Sequence, residues 1–309
     1  MKTIFSLNPV PPFRLDLTVW VLRRRPDNTW DRWDGQTYRR VLPTPSGPLD
    51  VAVSQTGPPD SPTIQVAATG DLTPPEAVIT ASLNRLLGLR VDLTAFYELA
   101  AADPKLGPLA QRFRGVKPPR FLTLFEALIN GIACQQITLT QGIRLQARLA
   151  EKYGMAHVEL AEVESVESAH AFPRPEDLAA AEPAALQAMG FSRQKVRALL
   201  TLACDITEGR LNLEALETMD DEAALVHLLE LRGVGRWTAE YVQLRGLGRL
   251  QVFPGDDVGA RKNLRGWLER DEPTDYEGVR RLVAPWEPYA GFFYFHLLLD
   301  RIAAAGYLS

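Results

Sequence analysis

Two rhythms divide the chain. Over the first seventy residues short apolar runs alternate with polar positions and stop at turn formers, whereas beyond about residue 92 apolar residues recur three and four apart. The alternation predicts strands at 15–22, 36–42, 49–55 and 63–68. Breakers separate them: Pro26-Asp27-Asn28, Asp34-Gly35, the proline-rich 43–48 and Gly57-Pro58-Pro59-Asp60. The expectation is an antiparallel sheet with one wet face, with Arg23, Arg24, Arg25, Arg39 and Arg40 in or near it. Pro74-Pro75 opens a helical pattern over 76–87. Helices follow at 92–101, 104–113, 122–134 and 139–153. An acidic, irregular connection over 157–173 carries Glu159, Glu162, Glu164 and Glu167. Further helices are predicted at 176–180, 183–189, 192–208, 221–231, 236–244, 257–269, 275–283 and 288–304. The architecture expected is α+β, with an N-terminal sheet domain over 1–91 and a helical body over 92–309.

Composition changes this picture little. The 309 residues suffice for two or three domains, and 46% hydrophobic with 23% charged is ordinary for a globular chain. No apolar run approaches the ~20 residues that span a bilayer, so no membrane partner is expected. The N-terminus, with one lysine and a very short apolar stretch, does not read as a signal peptide. Cys134 and Cys204 are too few for an iron–sulfur cluster and read as buried free thiols, which fits a cytoplasmic protein. The net charge of −4 tells against nucleic-acid binding on average. The charge is segregated, however. Arg232, Arg236, Arg245, Arg249, Arg261, Lys262, Arg265 and Arg270 gather over 231–270, and a basic stripe on an acidic protein can still hold phosphate.

That basic stretch contains the most informative motif, Leu231-Arg232-Gly233-Val234-Gly235-Arg236-Trp237-Thr238-Ala239. One helix ends, two glycines around a single residue allow a tight turn, and a second helix starts at once. The N–H groups at its start point outward at an anion, for which a DNA phosphate is the natural candidate. An ordinary helix–helix turn would use the same glycines. Close behind comes Val252-Phe253-Pro254-Gly255-Asp256-Asp257-Val258. Together with Tyr241, Leu244-Arg245-Gly246, Pro285-Trp286-Glu287-Pro288-Tyr289-Ala290 and the earlier stretch 125–137, these motifs resemble the helix–hairpin–helix glycosylases. They are most similar to the AlkA-type 3-methyladenine DNA glycosylase II branch. The resemblance covers roughly 120–309 and only loosely extends to the N-terminal sheet, which it would make a TBP-like domain.

The resemblance implies an enzyme that flips an alkylated base out of damaged double-stranded DNA and hydrolyses its N-glycosidic bond, acting as a monomer. It assigns catalysis to Asp257. Chemistry supports a carboxylate there, because bond cleavage builds positive charge on the sugar. Asp256 is left as the cap of the next helix. Trp237, Tyr241 and Phe295 become the base pocket, where electron-rich rings suit a cationic methylated purine. Gln136, in the turn between two helices, matches the intercalating position, although the family prototype carries an apolar wedge there. Gly233, Val234, Gly235 and Arg236 become the DNA-gripping hairpin. The backbone carbonyls of Leu229, Leu231 and Val234 would hold a sodium or potassium ion, and no other cofactor is required. Lyase members carry a lysine where this chain has Trp237, so the resemblance implies a monofunctional enzyme. Two other readings stay open: a glycosylase for deaminated or oxidised bases, and a non-catalytic phosphate clamp.

Overall fold

The computed structural model describes residues 2–70, 76–158 and 168–308. Five antiparallel strands form the N-terminal sheet: β1 (Lys2–Leu7), β2 (Arg32–Trp33), β3 (Thr37–Thr44), β4 (Gly47–Gln55) and β5 (Ile64–Thr69), in the order β1-β5-β4-β3-β2. The last three match the predicted strands to within two residues. The predicted strand at 15–22 is instead a helix, α1 (Leu15–Arg23). Its burial explains the error. Leu15, Val19 and Leu22 face the sheet, while Leu17, Trp20 and Val21 join a second core. Those are helical spacings on two faces. A run that is apolar all round cannot be told from a buried strand by periodicity.

The sheet is covered on one face by α1 and by α2 (Glu76–Leu87), whose Ile79, Leu83, Leu86 and Leu87 are sealed against Val51, Val53, Ile64 and Val66. The Pro74-Pro75 opener of α2 and the four acidic residues at 159–167 lie outside the described residues. The arginines expected in or near the sheet are largely internal: Arg23, Arg24 and Arg40 are all buried.

The helical body comprises α3 (Thr94–Ala102), α4 (Leu106–Arg112), α5 (Leu124–Cys134), α6 (Leu139–Tyr153), a short hairpin of β6 (Ala156–Val158) and β7 (Ser168–His170), α7 (Pro175–Ala179), α8 (Pro183–Ala188), α9 (Arg193–Thr207), α10 (Asp221–Glu230), α11 (Arg236–Val242), α12 (Val258–Trp267), α13 (Tyr276–Val283) and α14 (Ala290–Ala304). It has two cores. One is built from α5 to α11 around Phe125, Leu128, Ile132, Leu199, Leu228 and Tyr241. The other joins α3 and α4 to α12, α13 and α14 around Phe96, Leu264, Trp286, Phe292 and Phe295, with one face of α1 added. The second core is discontinuous in sequence. The chain leaves it after α4, builds the first core, and returns through the 252–257 loop. Among the described residues no helix is long and apolar enough to cross a membrane.

Candidate active site

The loop that carries the chain from one core to the other holds the aspartate pair. Asp257 is the N-cap of α12, its Oδ1 accepting from Ala260 N at 2.7 Å. Its other oxygen, Oδ2, accepts from Trp237 Nε1 at 3.1 Å and from the Tyr294 hydroxyl at 3.2 Å. One carboxylate is thus fixed by three donors from three helices and remains half-buried. Burial, and then the Asp257 charge, push the Tyr294 phenol well above its ordinary value, so it donates as a neutral hydroxyl.

The neighbouring aspartate corrects the sequence reading. Asp256 caps nothing; it binds Arg236 Nε at 2.6 Å and Arg261 Nη2 at 2.5 Å. Arg236 also lies over the Tyr276 ring, 3.8 Å from its centroid. The expected basic stripe is thinned further, since Arg245 is fully buried and Arg249 donates to Met219 O. Behind the loop stands Glu240, buried on α11. Its Oε2 accepts from Gly255 N at 3.0 Å and its Oε1 from the Tyr276 hydroxyl at 2.5 Å. Burial raises the Glu240 pKa. A side chain on Gly255 would start 2.7 Å from the Tyr276 ring, so glycine lets the loop lie flat on it.

The hairpin between α10 and α11 turns as expected. Gly233 adopts φ +80°, and a Cβ there would stand 2.7 Å from that of Ala198. Val234 N donates to Leu231 O at 3.1 Å, and Val234 is buried. Gly235 caps α11 with no side chain and with open space around its Cα, so the helix start is exposed. The turn after α5 sits beside it. Gln135 Nε2 donates to Gly233 O and to Thr238 Oγ1, both at 2.8 Å. Lys195 Nζ closes the end of α5 by donating to Ala133 O and Gln135 O, at 2.9 and 2.8 Å. Gln136 is exposed at the tip in left-handed backbone, φ +55°.

Beneath this rim lies a polar floor. Trp237 stacks on Tyr241 with ring centroids 5.5 Å apart, and of the two rings Tyr241 is fully buried. The Tyr241 hydroxyl accepts from Arg24 Nη1 at 2.8 Å and donates to Asn130 Oδ1 at 3.1 Å. Asn130 Oδ1 also accepts from Arg24 Nη2 at 2.9 Å, and its amide donates to Gln146 Oε1 at 2.6 Å. Beyond Val242 the α11 helix widens into a π-helical turn, Gln243–Leu247, which carries Arg245. Phe295 is buried behind Arg245, 5.5 Å from its guanidinium, and is not the residue of its aromatic run that bonds Asp257. Its neighbour Tyr294 makes that contact.

The sequence-predicted residues Asp257, Trp237 and Tyr241 are therefore brought together, and Gln136 and the hairpin residues 233–236 form the adjoining rim. Phe295 is buried behind them, against Arg245 and Tyr294. Sequence reasoning missed Tyr294, Gln135, Glu240, Asn130 and Arg24. Only Tyr294 left a signal, as the hydroxyl within the aromatic run 292–295. Arg24 arrives from the far end of the chain and left none.

Comparison with known proteins follows this geometry. Residues 129–288 match the family described as HhH-GPD superfamily base excision DNA repair protein. The chain is 30% identical over 223 residues to a DNA-3-methyladenine glycosylase of Bacillus subtilis, covering 71% of each chain. It is 28% identical over 235 residues to DNA-3-methyladenine glycosylase 2 of Escherichia coli, covering 76% of each. A solved 3-methyladenine DNA glycosylase from Archaeoglobus fulgidus superposes with a TM-score of 0.81 at 24% identity, covering 96% of this chain and 98% of that one.

Proposed function

The chain belongs to the HhH-GPD superfamily of base excision DNA repair proteins, and we propose that within it the protein is a monofunctional glycosylase for alkylated bases flipped out of double-stranded DNA. The observation that carries the reading is the Asp257 carboxylate, held by Trp237 and Tyr294 beside an exposed hairpin. Cleavage of the C1′–N bond leaves positive charge on the sugar, and a preorganised carboxylate stabilises it without having to reorient. The electron pair departs with the base, water bonds to C1′, and Asp257 or solvent takes its proton. A phosphate clamp would gain nothing from a carboxylate beside the backbone it grips.

The rim supplies binding. The bare start of α11 offers N–H groups to a phosphate, and Gln136 on its exposed turn fills the space the flipped base leaves. Trp237 is the accessible ring of the stacked pair, against which the base rests. A sodium or potassium ion fits the hairpin: among the described residues no backbone N–H bonds the carbonyls of Leu229 or Val234, and Leu231 O accepts only from Val234 N. Such an ion would hold the turn and neutralise a phosphate; it takes no part in bond cleavage. Lyase activity is not part of the reading, because Trp237 occupies the position of the lyase lysine and Lys195 is bound to two carbonyls.

Methylated duplex DNA tests this. The protein releases free methylated purines and leaves abasic sites that break only on heating, with no borohydride-trapped adduct. Asp257→Asn lowers the single-turnover rate by about 10³-fold while duplex binding is retained. An Asp257→Asn variant as fast as the parent removes that residue from the mechanism.

A further inference from the structure

Two cations lie against the buried ring of Tyr241, on which Trp237 is stacked. The guanidinium carbons of Arg24 and Arg245 lie 5.9 and 5.6 Å from the Tyr241 ring centroid. Both side chains are buried, Arg24 at 6% exposed and Arg245 at 0%. Their acceptors are all uncharged: the Tyr241 hydroxyl and Asn130 Oδ1 for Arg24, and the carbonyls of Val21 and Leu22 for Arg245. Nε of each, and Nη1 of Arg245, are buried without a hydrogen-bond partner. Arg24 also sits in left-handed backbone at φ +60°, which a non-glycine residue rarely adopts. Unpaired buried charge and a strained backbone at one residue are both costly, and such costs gather at functional sites.

We propose that Arg24 and Arg245 are specificity determinants that bias this site toward uncharged base lesions, whose departing base is an anion. The proposal rests on the glycosylase reading above and concerns the charge of the substrate. When an uncharged purine leaves, both electrons of the C1′–N9 bond stay on N9. Water supplies the oxygen that bonds C1′, its proton passes to Asp257 or solvent, and the base anion is protonated on release. A purine already alkylated on a ring nitrogen starts as a cation and leaves neutral. Fixed guanidinium charges in a low-dielectric floor stabilise the growing anion in the first case. In the second they oppose the cation before the bond breaks. Trp237 remains a stacking surface for either base.

The test compares single-turnover release of hypoxanthine, an uncharged base, with release of 7-methylguanine, a cationic one, from the same duplex. The ratio of the two rates cancels changes in folding and in duplex binding. Arg24→Gln lowers the hypoxanthine-to-7-methylguanine ratio by about tenfold or more, whereas Arg24→Lys, which keeps the charge, holds it near the parent value. Asn130→Asp, which sets a carboxylate against the guanidinium without removing it, lowers the ratio as well and serves if Arg24→Gln does not fold. An unchanged or increased ratio in Arg24→Gln or Asn130→Asp overturns the proposal while leaving the glycosylase reading intact. Release of neither base by the parent protein brings both down.

Discussion

Two arginines reach from the N-terminal region into the helical body, and they are buried in opposite ways. Arg40 on β3 lies between two carboxylates, with Nη1 2.6 Å from Asp31 and Nη2 2.6 Å from Glu126 of α5. Asp31 is held in turn by the Tyr38 hydroxyl at 2.7 Å and by Asn28. Arg24 enters the same body at Asn130, one helical turn further along α5, and meets no carboxylate there. The first cluster has its charge answered. The second leaves its charge unanswered beneath Tyr241, next to Asp257's partner Trp237. The contrast teaches that burial of charge alone does not mark a site. A buried cation with its anions is a joint between two parts of the fold, and one without them is available to a ligand.

The comparison breaks most readily on stability. Arg40→Met strands Asp31 and Glu126 without their shared cation, and the expected loss is about 3–5 kcal/mol. Urea unfolding of the parent and variant measures it. Arg24→Met removes a cation that had no anion, leaving the Tyr241 hydroxyl, Asn130 Oδ1 and the Cys134 thiol short of a donor, although the first two still bond each other. The expected cost is roughly 1–2 kcal/mol. Equal losses in the two variants erase the distinction, and Arg24 would then be a structural joint like Arg40.

How much of this was legible in the sequence follows from where each signal comes from. Helices α2 and α6 were predicted residue for residue, because amphipathic stretches bounded by breakers and a Thr138–Gln141 capping box carry their own boundaries. The α1 helix was misread because both its faces are buried, which removes the polar positions that distinguish the two periods. The neighbours Asp256 and Asp257 exchanged their capping roles, since a one-residue shift in helix start decides which carboxylate caps. Tyr294 and Phe295 lie about 100° apart on α14. Which of them faces Asp257 depends on how that helix is rotated by the core packing of Phe292 and Phe295, and a run of four aromatics does not encode the rotation. The polar floor was the least legible part, as Arg24, Asn130 and Tyr241 are brought together only by the fold.

Glu240 extends the comparison to an anion and gives its smallest and sharpest test. Like Arg24 it is buried with uncharged partners, Gly255 N and the Tyr276 hydroxyl. Arg236 passes close by but is bound to Asp256. Burial raises the folded-state pKa of Glu240 above its ordinary 4.5. Between those two values the folded protein therefore binds more protons than the unfolded chain, so stability falls as pH rises through that window and is level above it. In Glu240→Gln the amide oxygen takes the Gly255 N–H and the amide nitrogen donates to the Tyr276 oxygen, so the contacts survive without the charge. Urea unfolding across pH 4–8 should show the variant gaining on the parent as pH rises from about 4.5 and the gain levelling off once the raised pKa is passed. A difference that does not change with pH would mean that Glu240 is answered by a cation after all, in the manner of Asp31 and Glu126. The loop bearing Asp257 would then rest on an ion pair instead of on a carboxylate held by a backbone N–H and a phenol.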